Sequence, residues 1–519
     1  MNSGPTNYNV DPLSHASAEL DVLFNQVPLH TDLGSAVLKE EFSHGTTSPR
    51  IVRTNQLAIA CLDSCTSFRA DLNSALGAFA HHEKKLDEFI EGKDTGFVAY
   101  QAGRKGGQAL RTIQEALEDH KTSIDPESGL ELARKHLATY NESHASELLV
   151  GPVYITLRGL RGKHERNLFE PRWRHRSLLS GRIVTPSLAA LYLAQTGHLP
   201  PGTATLTSAG AVLVLFTGLY THMPMGNRSL STAKDDLYNN PIVYRKIRKE
   251  HMGNGAFMGA LMSVGLLDKV QGLAAWQQQV RENGHKTCFP DVTDSNEQHI
   301  DAWDMKNPVL AGSRADLVEN TIHLGAHSGQ NLSFLTGPNS GGKSTLSKAL
   351  IQNQILAQIG APVVATRFGT NIADTIAYHI PLPPDLSEQS GRFGFELQRV
   401  RSILNAASPA SLTILDDCLD GTTHEERLEV LQAVMAEFAY TAGNTVFSTH
   451  AHELVDDFAN HELGQFLQVE FSGKGPTYRV IPGISHTSHA REVAESYGFD
   501  RRQVAERIRK TGKTPPDWL

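Results

Sequence analysis

The 519-residue sequence is 40% hydrophobic and 20% charged, which is ordinary for a globular protein and long enough for about two to four domains. Its formal net charge of −8 excludes a general attraction to nucleic acid, so any such binding needs a local basic patch. Four cysteines are too few and too scattered for a disulfide framework, and we expect reduced thiols and a cytoplasmic protein.

The N-terminal residues 1–55 are rich in Ser, Thr, Asn, Gly and Pro, which is typical of a loosely ordered arm. They begin with neither a basic region nor an apolar core, so no signal peptide is predicted. The most apolar stretch of the chain, 209–220, is about 12 residues long, whereas a membrane span needs about 20. We therefore predict a buried helix there and no membrane association.

Residues 56–297 are predicted to form a mainly α-helical core or lever domain. Phe68, Leu72, Leu76 and Phe79 recur with the spacing of one helix face. The segment GPVYITLRGL at 151–160 is predicted to contain a short strand.

A basic stretch runs from Arg158 to Arg182 within this half. It has eight Arg or Lys residues against two Glu, with Phe169 and Trp173 between them. Such a stretch is suited to following a phosphate backbone and stacking on bases, which makes it the candidate DNA contact. The alternatives are a solvated loop or a surface that pairs with acidic residues of the same protein.

After about residue 298, short apolar or β-branched runs alternate with amphipathic helical segments. Strands that alternate with helices predict a parallel sheet covered by helices. The back half of the chain is therefore predicted to be an α/β domain.

The run FLTGPNSGGKSTL at 334–346 contains the pattern G-x-x-x-x-G-K-[ST] between a predicted strand and a predicted helix. In that context backbone N–H groups and a helix N terminus face a phosphate. Lys343 is expected to neutralise the β- and γ-phosphates of ATP, and the hydroxyl of Ser344 to hold Mg²⁺. The predicted nucleotide-binding residues of this loop are Gly337, Pro338, Asn339, Ser340, Gly341, Gly342, Lys343, Ser344 and Thr345.

Two later strand ends carry the remaining catalytic candidates. SLTILDD ends in Asp416, a predicted ligand in the Mg²⁺ shell, and Asp417, a predicted base that polarises water. NTVFSTH ends in His450, which is expected to face the same crevice and to sense the γ-phosphate or orient water. An Asp pair at a strand end is otherwise often a helix cap.

These motifs resemble the ATPase domain of the MutS proteins, the DNA mismatch-repair ATPases of the ABC type. The resemblance extends from about Gly265 to Lys510 and implies an α/β P-loop ABC-type ATPase domain that works as a homodimer. It also implies that Asn320 contacts the nucleotide. The segments that carry it are TGPNSGGKST, NPVLAG, LVENTIHL, ALIQNQILAQIGAPVVA and ISHTSHAREVAESYGFDRRQVAERIRK.

The sequence departs from the family pattern at three places. The family has Asp-Glu where this chain has Asp416-Asp417, so the presumed catalytic carboxylate is one methylene shorter. The Ser that reaches the partner's nucleotide is replaced by Gly391, and Arg392 beside it is the candidate for that contact, with a surface residue as the alternative. Leu317 stands where the family has an aromatic residue against adenine, which predicts a weaker contact.

The resemblance also implies what the front half lacks. The chain is too short for both the mismatch-recognition and connector domains of the family, so a shortened member is expected. The expected division is a flexible arm (1–55), a helical core or lever (56–297), a MutS-like P-loop ATPase domain (298–490) and a C-terminal helical dimerisation segment (491–519).

The predicted function is coupling of Mg²⁺-dependent ATP hydrolysis in a dimer to movement of the helical arm, on DNA. The alternative is an ATP-gated scaffold or accessory ATPase that acts on a protein or in a small-molecule pathway without binding DNA.

Overall fold

Two compact units make up the chain in the computed structural model. The sheet unit comprises Met1–Pro28, Leu38–Ala60 and Gly272–Leu519, and the helical unit comprises Leu29–Val37 and Cys61–Gln271. The structure describes residues 6–94, 97–150, 154–156, 159–161, 172–174, 244–325, 328–338, 341–381, 391–419, 422–472, 475–486, 495 and 497–518.

Strands and helices are numbered in chain order over the described residues. The strands are β1 Thr6–Val10, β2 His44–Thr47, β3 Tyr154–Thr156, β4 Gly159–Arg161, β5 Arg172–Arg174, β6 Asp291–Thr293, β7 His299–Met305, β8 Asn320–Gly325, β9 Leu332–Thr336, β10 Arg367–Asn371, β11 Thr375–His379, β12 Leu412–Asp416, β13 Asn444–Ser448, β14 Gln465–Ser472 and β15 Gly475–Pro482. The α-helices are α1 Pro12–Ser17, α2 Leu20–Gln26, α3 Asp32–Ser43, α4 Pro49–Ser64, α5 Thr66–Glu91, α6 Phe97–Asp119, α7 Gly129–Glu142, α8 His144–Val150, α9 Tyr244–His251, α10 Gly255–Glu282, α11 Pro308–Ala311, α12 Lys343–Gln358, α13 Gly391–Ala406, α14 His424–Thr441, α15 His452–Asn460 and α16 Arg501–Lys510.

The sheet unit is built on an eight-stranded sheet in the order β15-β14-β9-β13-β12-β11-β1-β2. The six strands from β14 to β1 run parallel, and β15 and β2 pair antiparallel at the two edges. Every residue of β9, β12 and β13 is buried, as expected for apolar strands covered on both faces. The prediction of an α/β fold with a parallel sheet is confirmed.

A smaller four-stranded sheet, β6-β10-β7-β8, belongs to the same unit. Helices α13, α14 and α15 bury an apolar cluster against one side of the large sheet, and Phe334, Met435, Phe438 and Phe447 are fully buried in it. This packing fixes the positions of the strand ends that carry the candidate site.

The N-terminal residues 6–55 are ordered elements of this unit, which corrects the expectation of a loosely ordered arm. β1 joins the large sheet beside β11, where Asn9 pairs with Thr375 and Val10 with Ile376. Tyr8 and Val10 are buried while their neighbours are more exposed, the period-two pattern of a strand. A five-residue strand within a polar segment changes the composition of residues 1–55 too little to be detected from it.

The boundaries of the two compact units differ from those expected at residues 55 and 297.

The helical unit confirms the predicted stripe on α5. Phe68, Leu72, Leu76 and Phe79 all have 0% exposure. α6 packs so closely against α5 that a Cβ on Gly103 of α6 would lie 2.8 Å from the ring of Phe89 on α5. The glycine therefore sets the distance between these two helices.

The predicted short strand in this unit is also found. β3 lies between β4 and β5 in a three-stranded antiparallel sheet. Of the basic stretch Arg158 to Arg182, β5 and the residues of β4 are described, and the rest lies outside the described residues, as does the apolar stretch 209–220. Within the described residues, no helix is both long enough and apolar enough to cross a membrane.

Candidate functional site

The glycine loop follows directly from the central strand β9. Gly337 has a φ of 142°, and a Cβ there would lie 2.9 Å from Cβ of Val469. Gly342, with a φ of 90°, turns the chain into α12, which begins at Lys343. Both positions favour glycine because side chains are strained or crowded there. Asn339 and Ser340 lie outside the described residues.

Lys343 lies folded over the loop that precedes it. Its Nζ donates to the carbonyl oxygens of Gly337 (2.8 Å) and Pro338 (3.3 Å) and lies 2.9 Å from Nε2 of His450. Burial lowers the pKa of Lys343, and the nearby carboxylates of Asp417 and Asp416 oppose that shift. The site therefore holds a poorly solvated cation at the N terminus of α12, a position that favours an anion.

The two carboxylates lie at the end of β12, the second strand along from β9: Asp416 is its last residue and Asp417 follows it. Asp416 is 7% exposed, and its Oδ2 lies 3.4 Å from the hydroxyl of Tyr378. Asp417 has a φ of 45°, which is unusual for a residue other than glycine. Its N–H donates to the carbonyl of Ser448 at 2.9 Å, so the end of β13 stabilises this turn.

His450 follows β13, the strand between β9 and β12. Its backbone N–H donates to Oδ1 of Asp417 at 3.2 Å, and its Nε2 lies 3.3 Å from Oδ2 of the same carboxylate. Burial and the Lys343 ammonium lower the pKa of His450 to about 4, so the ring is neutral at pH 7. Because an ammonium only donates hydrogen bonds, Nε2 of this neutral ring accepts from Lys343.

Lys343, Asp416 and Asp417 border one cavity of about 580 Å³, whereas His450, which contacts Lys343 and Asp417, does not line it. The exposed Ser344 and Thr345 at the start of α12 line it together with both carboxylates. The remaining lining residues are Met305, Lys306, Asn307, Leu310, Arg314, Asp316, Leu317, Val318, Asn320, Pro338, Gly341, Gly342, Lys343, Leu346, Ala349 and Tyr478. The size is suitable for a small-molecule ligand.

Asn320 lines this cavity, but its side-chain amide is engaged by the protein. Its Oδ1 accepts from the N–H of Val480 at 2.7 Å, and its Nδ2 donates to the carbonyl of Tyr478 at 3.3 Å. Asn320 therefore holds β15 in place beside the cavity.

Tyr478 is a cavity residue that the sequence reasoning missed. It has a φ of 62° and is 51% exposed, and a Cβ on Gly342 would lie 3.3 Å from its Cδ1. The strand pair β14 and β15 was detectable as two alternating runs around a Gly-rich turn. Its position over the glycine loop depends on the pairing of β14 with β9, which is remote in sequence.

Arg392 is not among the residues that line the cavity. It lies in the first turn of α13, where its Nε donates to Oε1 of Glu396 at 2.9 Å and its side chain is 42% exposed. Glu396 is fully buried, and its Oε2 accepts from the N–H of Leu419 at 2.6 Å. Arg392 is thus linked through one carboxylate to the segment that follows Asp417.

The structure brings together Lys343, Ser344, Asp416, Asp417 and His450 at the carboxyl ends of three adjacent strands. This is where ligands bind in parallel α/β sheets. The arrangement offers backbone N–H groups, one cation, hydroxyl and carboxylate oxygens, and a neutral imidazole. Such a set can hold a phosphate with a divalent cation and orient a water molecule.

Comparison with known proteins agrees with this geometry. The family described as MutS domain V matches residues 333–513. The DNA mismatch repair protein MutS of Synechococcus sp. (strain CC9605) is 30% identical over 249 residues, which are 47% of this chain and 26% of that protein. The probable DNA mismatch repair protein Msh6 of Drosophila melanogaster is 32% identical over 251 residues, which are 47% of this chain and 20% of that protein.

The matched part is therefore about a quarter of each relative. Residues 333–513 contain the glycine loop and both carboxylates, which line the cavity, and His450, which contacts Lys343 and Asp417. The similarity to the MutS proteins is therefore a similarity to their domain V, and it lies in residues 333–513 of this chain.

Proposed function

We propose that the sheet unit binds ATP with Mg²⁺ in the 580 Å³ cavity and hydrolyses it. One observation carries the proposal: a glycine loop, a buried lysine, two carboxylates and a neutral histidine meet at the ends of β9, β12 and β13. Stabilisation of phosphoryl transfer is largely electrostatic positioning, which this set of groups supplies.

Lys343 is the residue that we expect to change partners when a nucleotide binds. Its contacts with Gly337, Pro338 and His450 satisfy a buried ammonium, and phosphate oxygens would replace them with stronger, charge-assisted hydrogen bonds.

The metal ligands proposed are Ser344 and Asp416. Hydroxyl and carboxylate oxygens are the donors that Mg²⁺ prefers, and both residues line the cavity. Among the described residues, no group of three or more His, Cys, Asp and Glu could hold a metal. This agrees with Mg²⁺, which commonly takes one or two protein ligands and completes its shell with phosphate and water. When bound there, it would neutralise phosphate charge.

Asp417 is the proposed group that orients and polarises water. Its carboxylate accepts from the backbone N–H of His450, and it lines the cavity beside Asp416. His450 is neutral, and it contacts both groups without adding charge: its ring accepts from Lys343 and its backbone N–H donates to this carboxylate.

The base of the nucleotide is proposed to lie against Leu317 and Tyr478, which both line the cavity. The aromatic ring of Tyr478 supplies the stacking surface that Leu317 does not. Asn320 then acts indirectly, since its amide holds the backbone of Tyr478.

Dimer closure and action on DNA are the wider part of the proposal. The relatives are named DNA mismatch repair proteins, and this supports DNA as the substrate of the motion. We propose a homodimer in which Ser390–Leu397 of one subunit reaches the nucleotide of the other, with Arg392 as the contacting residue. The basic stretch Arg158 to Arg182 is the proposed DNA contact, and the cytoplasmic location remains a prediction.

Two measurements test this function. ATP turnover by the purified chain should disappear in Lys343→Ala and persist in the control Lys286→Ala, whose lysine is exposed and does not line the cavity. Turnover that survives in Lys343→Ala with unchanged circular dichroism would overturn the assignment.

The second measurement is a shift assay with labelled mismatched and branched duplexes at low salt. Binding with a steep salt slope supports DNA as substrate. The absence of a shift with any nucleic acid, in a protein that hydrolyses ATP, would favour the ATP-gated scaffold.

A further inference from the structure

The N-terminal segment 6–19 contacts α12, which carries part of the candidate site, and two elements that contact the site's carboxylate turn, β11 and α13. β1 lies beside β11, and α1 begins immediately after it with Asp11 as its N-cap. Hydrogen bonds then connect this short segment to α13, to β11 and to α12. None of these contacts was expected from the sequence.

The first contact joins Asp11 to Arg399 of α13. Oδ1 of Asp11 accepts from Nη1 of Arg399 at 2.8 Å, and Oδ2 pairs with Nη2. Oδ2 also accepts from the N–H (2.9 Å) and hydroxyl (2.7 Å) of Ser14. Burial raises the pKa of Asp11, but the hydrogen bonds from Arg399 and Ser14 outweigh this effect, so the pKa lies below its ordinary value. The carboxylate is therefore ionised and pairs with the guanidinium through two oxygens, which fixes orientation as well as distance.

Arg399 lies on the same face of α13 as the residues near the catalytic turn. Arg392, Glu396 and Arg399 are spaced i, i+4 and i+7, which places them along one side of a helix. Glu396 contacts the N–H of Leu419, two residues after Asp417. Asp11 therefore holds the same face of α13 that contacts the turn following β12.

The second contact runs through Ser14 to Asp416. The hydroxyl of Ser14 accepts from the N–H of Tyr378 at 2.6 Å, and the hydroxyl of Tyr378 lies 3.4 Å from Oδ2 of Asp416. Tyr378 is 1% exposed. The next residue is His379, whose pKa is lowered to about 4 by burial and by Arg399. Its ring is therefore neutral at pH 7 and does not compete with Arg399 for the carboxylate of Asp11.

The third contact joins the start of α2 to the helix of the glycine loop. Glu19 pairs with Lys348 of α12 at 2.7 Å, and Gln352 donates to the carbonyl of Ala18 at 2.8 Å. The segment thus contacts the helix that follows the loop as well as the supports of both carboxylates.

We propose that Asp11 is a positioning residue for ATP hydrolysis, which it serves by holding α13 in register with the Asp416–Asp417 turn. This rests on the proposed function. Because the pair lies away from the cavity lining, its loss should alter the alignment of the hydrolytic groups more than nucleotide binding. The N-terminal segment is then a working part of the ATPase unit.

Asp11→Asn tests this, with Asp21→Asn on α2 as the matched control, because that carboxylate is 68% exposed and pairs with His15 of α1 rather than with α13. We expect Asp11→Asn to lower kcat by about tenfold to a hundredfold, with KM for ATP changed less than about threefold. Amide exchange across Gly391–Ala406 should rise, and Asp21→Asn should match wild type. A residue that only stabilises the fold would lower the fraction of active protein without this selective change.

Arg399→Gln completes a double-mutant cycle. If the two residues act as one pair, the double variant should lose no more activity than the single ones. Arg399→Lys keeps the charge but not the bidentate geometry, so it should give a smaller loss in the same direction, and it serves if Asp11→Asn does not fold.

The outcomes separate this inference from the proposed function. Wild-type kcat and unchanged amide exchange of α13 in Asp11→Asn, in a protein whose hydrolysis depends on Lys343, would overturn the positioning role alone. Absence of Lys343-dependent hydrolysis in the wild-type protein would overturn the proposed function, whatever the exchange of α13 shows.

Discussion

Lys343→Met should weaken ATP binding while leaving folding stability almost unchanged. The lysine is 5% exposed and donates to two loop carbonyls, which should contribute about 1 kcal/mol each to folding. Burial acts against this contribution: the pKa of Lys343 lies below its ordinary value, so the charged form is less favoured in the folded than in the unfolded state. That penalty is present at pH 7 and disappears only as the pH rises through the lowered pKa. The two effects oppose each other, and we expect a net change within about 1 kcal/mol, or about 1–2 °C in Tm for a unit of this size.

Nucleotide binding has no such compensation. Hydrogen bonds to charged groups contribute about 1.5–3 kcal/mol, so Kd for ATP should rise about ten- to hundredfold. Calorimetric titration with ATP and thermal unfolding without nucleotide measure the two effects separately, and Lys286→Met is the control. A large fall in Tm with unchanged ATP affinity would show that Lys343 is a structural lysine and refute the reasoning.

Three further predictions concern acid stability, DNA and the dimer. The pKa of His450 is lowered to about 4, so between about pH 6.5 and 4 the unfolded chain binds more protons than the folded protein. The free energy of unfolding should therefore decrease as the pH falls through that window, and His450→Asn should lack this part of the pH dependence. Substituting Glu for the three arginines within 172–176 should weaken binding to all DNA sequences alike and flatten the salt slope of DNA binding by about 0.9 per lost contact, while ATP hydrolysis without DNA persists. An unchanged slope would show that DNA binds to another part of the chain. A mixture of Lys343→Ala and Arg392→Ala subunits should regain about a quarter to a half of the activity, because each mixed dimer has one site with both an intact Lys343 and an intact Arg392. A protein that stays monomeric at every ATP concentration and shows no recovery would indicate that the cavity works without a partner subunit.

The α/β half was predictable because its signals are local. Leu332–Thr336 is a short apolar run, Gly337 and Gly342 mark a turn, and the next residues favour a helix. Strand, loop and helix are therefore encoded within one short segment. Asp416 and His450 were detectable for the same reason. Each lies at or just beyond the end of a buried strand, and the carboxyl ends of parallel strands lie at one edge of the sheet.

The N-terminal strand was not predictable from its own residues. β1 is short and polar, and its place depends on pairing with β11, more than 360 residues later. Composition over 1–55 indicated a loose arm because it is insensitive to such pairing. Asp11 would have been interpreted as an ordinary helix cap, and nothing near it in sequence indicates Arg399.

The partners of Asn320 and Arg392 also required the structure. Both residues were predicted to contact nucleotide, whereas here the amide of Asn320 binds the backbone of β15 and Arg392 binds Glu396. A sequence motif gives the residue and its approximate position. It does not show which neighbouring group satisfies a polar side chain, because this depends on contacts such as that between Glu396 and Leu419.

Single-turnover hydrolysis by Asp417→Asn decides whether the cavity is an ATPase site with this carboxylate as its base. The substitution keeps the side-chain shape and removes the charge that lies beside His450. The variant should bind ATP within about threefold of the wild-type Kd but hydrolyse it about a hundredfold or more slowly, so that an ATP-bound dimer accumulates. Hydrolysis at the wild-type rate would contradict this role and leave His450 as the next candidate, whereas wild-type protein without any Lys343-dependent hydrolysis would contradict the ATPase assignment itself.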